Sequence, residues 1–211
     1  MQENAETIKV RFISWLLNGG LSFSASTDAI GTEVLFSKNK RKADLIVISN
    51  VLYAFEIKSD RDSIKKFYHQ LPDYLRSFPE FSVITTKKYL NQIKKITPAS
   101  TGLILFESGE FQIKRPAKRK IKLSKDDLLM FLSKEDLIHR FKTKNARTIS
   151  TQALRNRVSR KIPTTQIYLT ALAILKKRYR DLFNLFMRDT DGIIVRDDLK
   201  GLTGKINRIS A

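Results

Sequence analysis

Asp44, Glu56 and Lys58 are the residues whose types and spacing could do chemistry. They frame two apolar runs, Ala43-Asp44-Leu45-Ile46-Val47-Ile48 and Val51-Leu52-Tyr53-Ala54-Phe55-Glu56-Ile57-Lys58, separated by Ser49-Asn50. Two β-branched and aromatic runs around such a turn signal read as a hairpin buried on both faces. Glu56 and Lys58 are two apart and share a face of their strand. Asp44 lies opposite Glu56 if the loop has three residues, whereas a two-residue loop needs a bulge to restore that pairing. Charges at the rim of an apolar sheet must be paired or bind metal. Asp44, Glu56 and the backbone carbonyl of Ile57 are hard oxygen ligands suited to Mg²⁺ or Mn²⁺. Lys58 would orient or deprotonate a bound water for attack on a phosphodiester.

The elements that must position these residues follow from periodicity. Ser59-Asp60-Arg61-Asp62-Ser63 offers Ser59 or Asp60 as an N-cap. A helix over 61–77 carries the stripe Ile64, Phe67, Tyr68, Leu71, Tyr74 and Leu75. Gln70 and Tyr74 stand one turn apart on it. Upstream, residues 4–17 form a helix with Ile8, Phe12, Trp15 and Leu16 on one side, closed by Asn18-Gly19-Gly20. A first strand spans 32–36. Downstream come a strand over 81–85, a basic helix over 87–96 and a hairpin of 102–106 with 111–114. This order is that of an α/β core with a mixed sheet flanked by helices.

Asp44, an eleven-residue spacer and Glu56-Ile57-Lys58 resemble the signature of the PD-(D/E)XK nuclease superfamily, which includes restriction enzymes, junction resolvases and RecB-type exonucleases. Gln70-x-x-x-Tyr74 resembles the RecB-type motif, in which the pair contacts DNA or supports the site. The alternative for these two is a core tyrosine and a partly exposed amide. The run from Tyr53 to Asp62 is similar to a small bacterial and phage branch of the superfamily, the likeness covering residues 1–115. The resemblance implies a restriction-endonuclease-like fold and a metal-dependent DNA nuclease, with Asp44 and Glu56 as ligands and Lys58 as the water-activating group. Glu33 matches, by order and distance, an upstream acid that completes the metal site in several branches; a solvent-facing strand residue is the other reading. Ala43 stands where the signature has Pro, a position that supplies no ligand.

Charge points to the same class of partner. The 211 residues carry 40 Lys and Arg against 21 Asp and Glu, a net charge of +19, which calls for a polyanion. Lys40, Arg41 and Lys42 lead into Asp44 and would hold phosphates beside the site. The stretch 116–124 reads as a basic linker. Beyond it, a basic all-helical part is expected over 125–188, with helices at 125–142, 148–160 and 164–188, followed by a tail over 189–211. Arg155, Arg157, Arg160, Lys161, Lys176, Lys177, Arg178 and Arg180 would form a DNA-backbone surface, or else the solvated face of helices packed on the core. The joint Ile162-Pro163-Thr164 could mimic a helix-turn-helix. There is no Cys and only His69 and His139, which excludes disulfides, thiolate zinc and thiol nucleophiles. No basic and apolar leader opens the chain and no apolar run is long enough for a bilayer, so a cytoplasmic protein without a membrane partner is expected. A non-catalytic nucleic-acid-binding protein of nuclease fold, or an interaction subunit of a larger complex, is the alternative. DNA against RNA, and a homodimer or protein partner, stay open.

Overall fold

The computed structural model describes residues 4–142, 148–190 and 192–204. Helix α1 (Ala5–Leu17) begins at Asn4, whose side chain accepts the Thr7 N–H, and ends before Gly19, at φ 89°. Six strands follow: β1 (Ala29–Phe36), β2 (Arg41–Ile48), β3 (Leu52–Lys58), β4 (Glu80–Thr85), β5 (Gly102–Glu107) and β6 (Glu110–Arg115). They lie side by side in chain order. β1, β2 and β3 form an antiparallel meander, β3, β4 and β5 run parallel, and β6 returns antiparallel. Parallel neighbours need crossover connections. Helices α2 (Ile64–Ser77) and α3 (Lys87–Ile96) supply them. The protein is thus α/β, a mixed sheet flanked by helices.

Helix α2 starts with its stripe at Ile64, later than the expected start at residue 61. The carboxylate of Asp62 accepts the N–H and the hydroxyl of Ser59 at 2.8 and 2.6 Å, so 59–62 is a side-chain-closed turn and Ser63 is the N-cap. The expected helix over 125–142 is likewise two: α4 (Lys125–Leu128), a 3₁₀ turn (Leu129–Phe131) and α5 (Lys134–Phe141). Ser133 and Asp136 form a reciprocal capping box that restarts the chain.

Of the last long helices, α7 (Thr164–Asp189) packs on β1 and β2 of the sheet, whereas α6 (Thr151–Lys161) packs on α4 and α5. Gly31 makes the approach of α7 feasible, since a Cβ there would lie 2.5 Å from the Tyr179 ring. Buried apolar residues from Ile8 to Leu202 form one cluster, uniting sheet and helical part. The stretch 116–124 is a strap rather than a free linker. Its Lys118 and Lys120 N–H groups bond to Ser100 and Pro79, and Ser124 N–H to Arg76. The tail also folds back: a 3₁₀ segment (Arg196–Leu202) buries Leu199 and Leu202, and the Leu199 carbonyl accepts the Thr32 hydroxyl. Residues 205–211 of the expected tail lie outside the described residues.

Candidate active site

The hairpin loop settles where the charges meet. Ile48 pairs with Leu52, leaving the three residues Ser49, Asn50 and Val51 in the loop, and the ladder runs to Leu45 opposite Phe55. One step further along that register brings Asp44 to Glu56. Here β2 and β3 part, and the gap is bridged by the Ile57 N–H, which donates to Asp44 Oδ2 at 2.7 Å. Ile57 therefore enters the site through its amide, holding a ligand candidate in place.

Glu56 is buried and held at both oxygens. Lys58 Nζ lies 2.6 Å from Oε1, and the Tyr74 hydroxyl donates to Oε2. Tyr74 is fully buried, stacked on Phe81 and tilted against Phe36. It does not reach a nucleic-acid surface; it fixes Glu56 from behind. Lys58 passes over the Phe67 ring, with Nζ 5.8 Å from its centroid. Gln70 is half-buried, and its side-chain oxygen is enclosed with no hydrogen-bond partner among the described residues. A buried acceptor without a partner costs free energy.

The electrostatics are those of crowded carboxylates. Burial first, and the Glu56 charge second, push the Asp44 carboxyl up to about 8, against the opposing pull of Lys9, the Ile57 N–H and Lys58. Burial on its own would lower Lys58, but the charge and hydrogen bond of Glu56, helped by Asp44 and Asp62, raise it. The lysine is held as an ammonium ion.

Glu33 faces a different partner. The pairs Thr32 with Leu45 and Val34 with Ala43 bracket it opposite Asp44, but at φ 52° it interrupts the ladder. Its carboxylate takes the ammonium of Lys9 at 2.6 Å. Among the described residues no three His, Cys, Asp or Glu side chains gather as a metal-holding group. Glu33 lies beside the Asp44–Glu56 pair, with its carboxylate engaged by Lys9. Lys9 was not singled out from the sequence, although a cation in the stripe of Ala5, Ile8, Phe12 and Ile13 is a legible signal of a buried charge.

The basic candidates separate into two kinds. Lys40 and Lys42, flanking the turn into Asp44, are exposed, as are Arg157 and Lys177, while Lys176 is half-buried. Arg41 is structural: it pairs with Asp73 at 3.0 Å and reaches the His69 carbonyl. Arg155 donates to the Leu129 and Leu132 carbonyls, both at 3.1 Å, tying α6 to the 3₁₀ turn before it. Arg178 pairs with Asp136, and Arg180 bonds to the carbonyls of Ala25 and Asp28. These arginines hold elements together, so Arg41, Arg155, Arg178 and Arg180 would offer a phosphate only the N–H donors that their protein contacts leave over.

No helix among the described residues is long and apolar enough to cross a membrane. A protein of unknown function from Silicibacter pomeroyi aligns over 77% of this chain and 99% of its own, at 18% identity and a TM-score of 0.43. Protein cII of Enterobacteria phage P4 is 27% identical over 194 residues, which cover 89% of this chain and 72% of the phage protein. The match to the family of that protein runs through residues 1–203. Nearly the whole length, strands, strap and helical part together, is therefore shared, and the chain belongs to the Bacteriophage P4 protein cII family.

Proposed function

We propose that this protein is a metal-dependent phosphodiesterase of restriction-endonuclease-like fold that cleaves DNA. One observation carries the reading: Tyr74 of α2 hydrogen-bonds Glu56, which is paired with Lys58 and set by the hairpin register against Asp44. Four residues singled out for chemistry thus meet at one point, where a core tyrosine needed no such partner.

The donor set suits a divalent cation. Two carboxylates forced together, one of them pushed up to about 8, are relieved by a positive charge between them. Asp44 and Glu56 would hold Mg²⁺ or Mn²⁺, which when bound polarises the scissile phosphate and lowers the pKa of a coordinated water. The chain's own residues do the rest. Ile57 N–H and Tyr74 fix the two carboxylates. Lys58, as an ammonium, orients the nucleophile and offsets charge growing on the phosphate. Lys40 and Lys42 grip flanking phosphates. A second reading, a DNA clamp without catalysis, is favoured by the engagement of both Glu56 oxygens by protein groups.

Incubation with plasmid, linear duplex and single-stranded DNA, in Mg²⁺, Mn²⁺ or EDTA, separates the two. Metal-dependent cleavage is expected, with Glu56→Gln and Lys58→Ala each lowering the rate by about 10³-fold or more while binding persists. Binding without cleavage in every metal would leave the clamp; equal cleavage by both variants and wild type would remove the site.

A further inference from the structure

A cavity of about 640 Å³ lies against the strand that carries Asp44. Two of its lining residues fix its position: Lys42, two places before Asp44 on β2, and Glu33, across from Asp44 on β1. It extends from there between β1, the 3₁₀ turn 129–131 and α7. Its walls are of two kinds. Leu35, Phe131, Leu175 and the ring of Tyr179 make an apolar slot, and Lys42, Arg155 and Arg178 bring three cations to it. Glu33 is the acid at the end nearest Asp44, and Lys9 balances it.

The size falls within the range of about 300–1,000 Å³ found for small-molecule and cofactor sites. Apolar and aromatic walls accept a base, and cations accept a phosphate. Arg155 and Arg178 each use part of the guanidinium on protein oxygens, which fixes the group in place while leaving further N–H donors. A base enters such a slot only when it is out of the helical stack. We infer that this cavity receives an unpaired nucleotide beside the bond to be cut, so that the substrate is single-stranded or frayed nucleic acid rather than intact duplex. The cavity's neighbourhood to a cleavage site rests on the phosphodiesterase reading; its preference for an unpaired strand does not.

The test uses the full chain carrying Glu56→Gln, to suppress cleavage, and fluorescence anisotropy at fixed salt. The probes are a labelled single strand of about 20 nucleotides and its blunt duplex, a length that spans an ordinary single-strand site. Single strand is expected to bind about tenfold more tightly than duplex, the effect of one well-stacked base. Leu35 is 48% exposed at the cavity wall, so Leu35→Trp fills the slot without disturbing the core. It is expected to bring the ratio to about one with an unchanged melting temperature. Arg178→Gln, which removes one lining cation, is expected to reduce the ratio as well. Equal binding of the two probes, or a ratio that survives Leu35→Trp and Arg178→Gln, overturns the inference. If the ratio and its loss are seen but the wild type cleaves nothing in any metal, the pocket stands and the phosphodiesterase reading falls. If duplex is cut and bound as well as single strand, the reverse holds.

Discussion

Helix α2 carries two adjacent residues, Asp73 and Tyr74, into two buried carboxylate clusters that are built on opposite principles. Around Asp73, every charge is answered. Its oxygens take Arg41, Arg76, Asn39 and Ser37, and Arg76 bridges onward to Asp127, whose other oxygen accepts the Lys38 N–H. Burial would raise Asp127, yet the hydrogen bonds from Lys38, Arg76 and Ser124 and the Arg76 charge outweigh it and hold the carboxyl below its usual range. Around Tyr74, Glu56 has the ammonium of Lys58 and the Tyr74 hydroxyl, and Asp44 has the Ile57 N–H with Lys9 and Lys58 acting through their charge, yet Asp44 is pushed far up. One cluster ties the turn between β1 and β2 to α2 and α4 and asks for nothing further. The other is left short of positive charge. The contrast, one buried pair neutralised by arginines and its neighbour left with a strongly raised carboxyl one residue along the same helix, is what the proposed cation site would explain.

Removing the answering charge should make the first cluster resemble the second, at a large cost. Arg76→Ala leaves Asp73 and Asp127 buried with their bridge gone. The expected loss is about 3 kcal/mol, the usual penalty for stripping one partner from a buried pair, read as a fall of several degrees in melting temperature. DNA cleavage per folded molecule should change little. A stability near wild type would show that Arg41 alone suffices and that the contrast between the clusters is overstated.

The opposite change sharpens the comparison through pH. Asp44 rises from 3.8 to about 8 on folding. Across that window the folded protein keeps a proton that the unfolded chain has released, so stability falls as pH climbs. Asp44→Asn removes the titration and should be more stable than wild type at pH 8 by on the order of 1–2 kcal/mol, with the difference vanishing toward pH 4. Mg²⁺ should raise the melting temperature of wild type at pH 8 and leave Asp44→Asn unmoved. The depressed Asp127 works the other way: its contribution is present above the unfolded pKa and is lost as pH falls through the folded one. Asp127→Asn should therefore lower stability at pH 7 and converge with wild type in acid. Parallel pH profiles for the two variants would dissolve the distinction.

The contrast between the clusters was half legible in the sequence. The Asp44–Glu56 meeting follows from strand alternation once the loop length is known, and Ser49-Asn50 left two- and three-residue loops open. The four-residue spacing of Gln70 and Tyr74 placed them on one face, which is local information. What Arg41 and Arg155 bind is not local, because their partners are 23 to 32 residues away in sequence. An arginine that caps distant carbonyls looks the same in a sequence as one that waits for phosphate. Asp73 was overlooked for the same reason. The break in 125–142 was legible: Ser133-x-x-Asp136 is a capping signal, masked by continuous helical periodicity on both sides.

Tyr74→Phe makes the finest cut, because it removes a single oxygen at the boundary between the clusters. Its ring is wedged among Phe36, Phe78 and Phe81, and a phenylalanine keeps that packing. Its hydroxyl is raised well above the usual phenol range by burial and by the charges of Glu56 and Asp44, so it donates to Glu56 throughout the accessible pH range. If the phenol only fills space, the variant should be indistinguishable from wild type. If it holds Glu56 for a cation, the freed oxygen swings toward Lys58 and the pair loses its geometry. The expected outcome is a change in stability of about 1 kcal/mol or less, and a drop of about tenfold in cleavage that higher Mg²⁺ partly restores. Rescue by metal is the discriminating part, since a packing defect has no reason to respond to Mg²⁺ concentration.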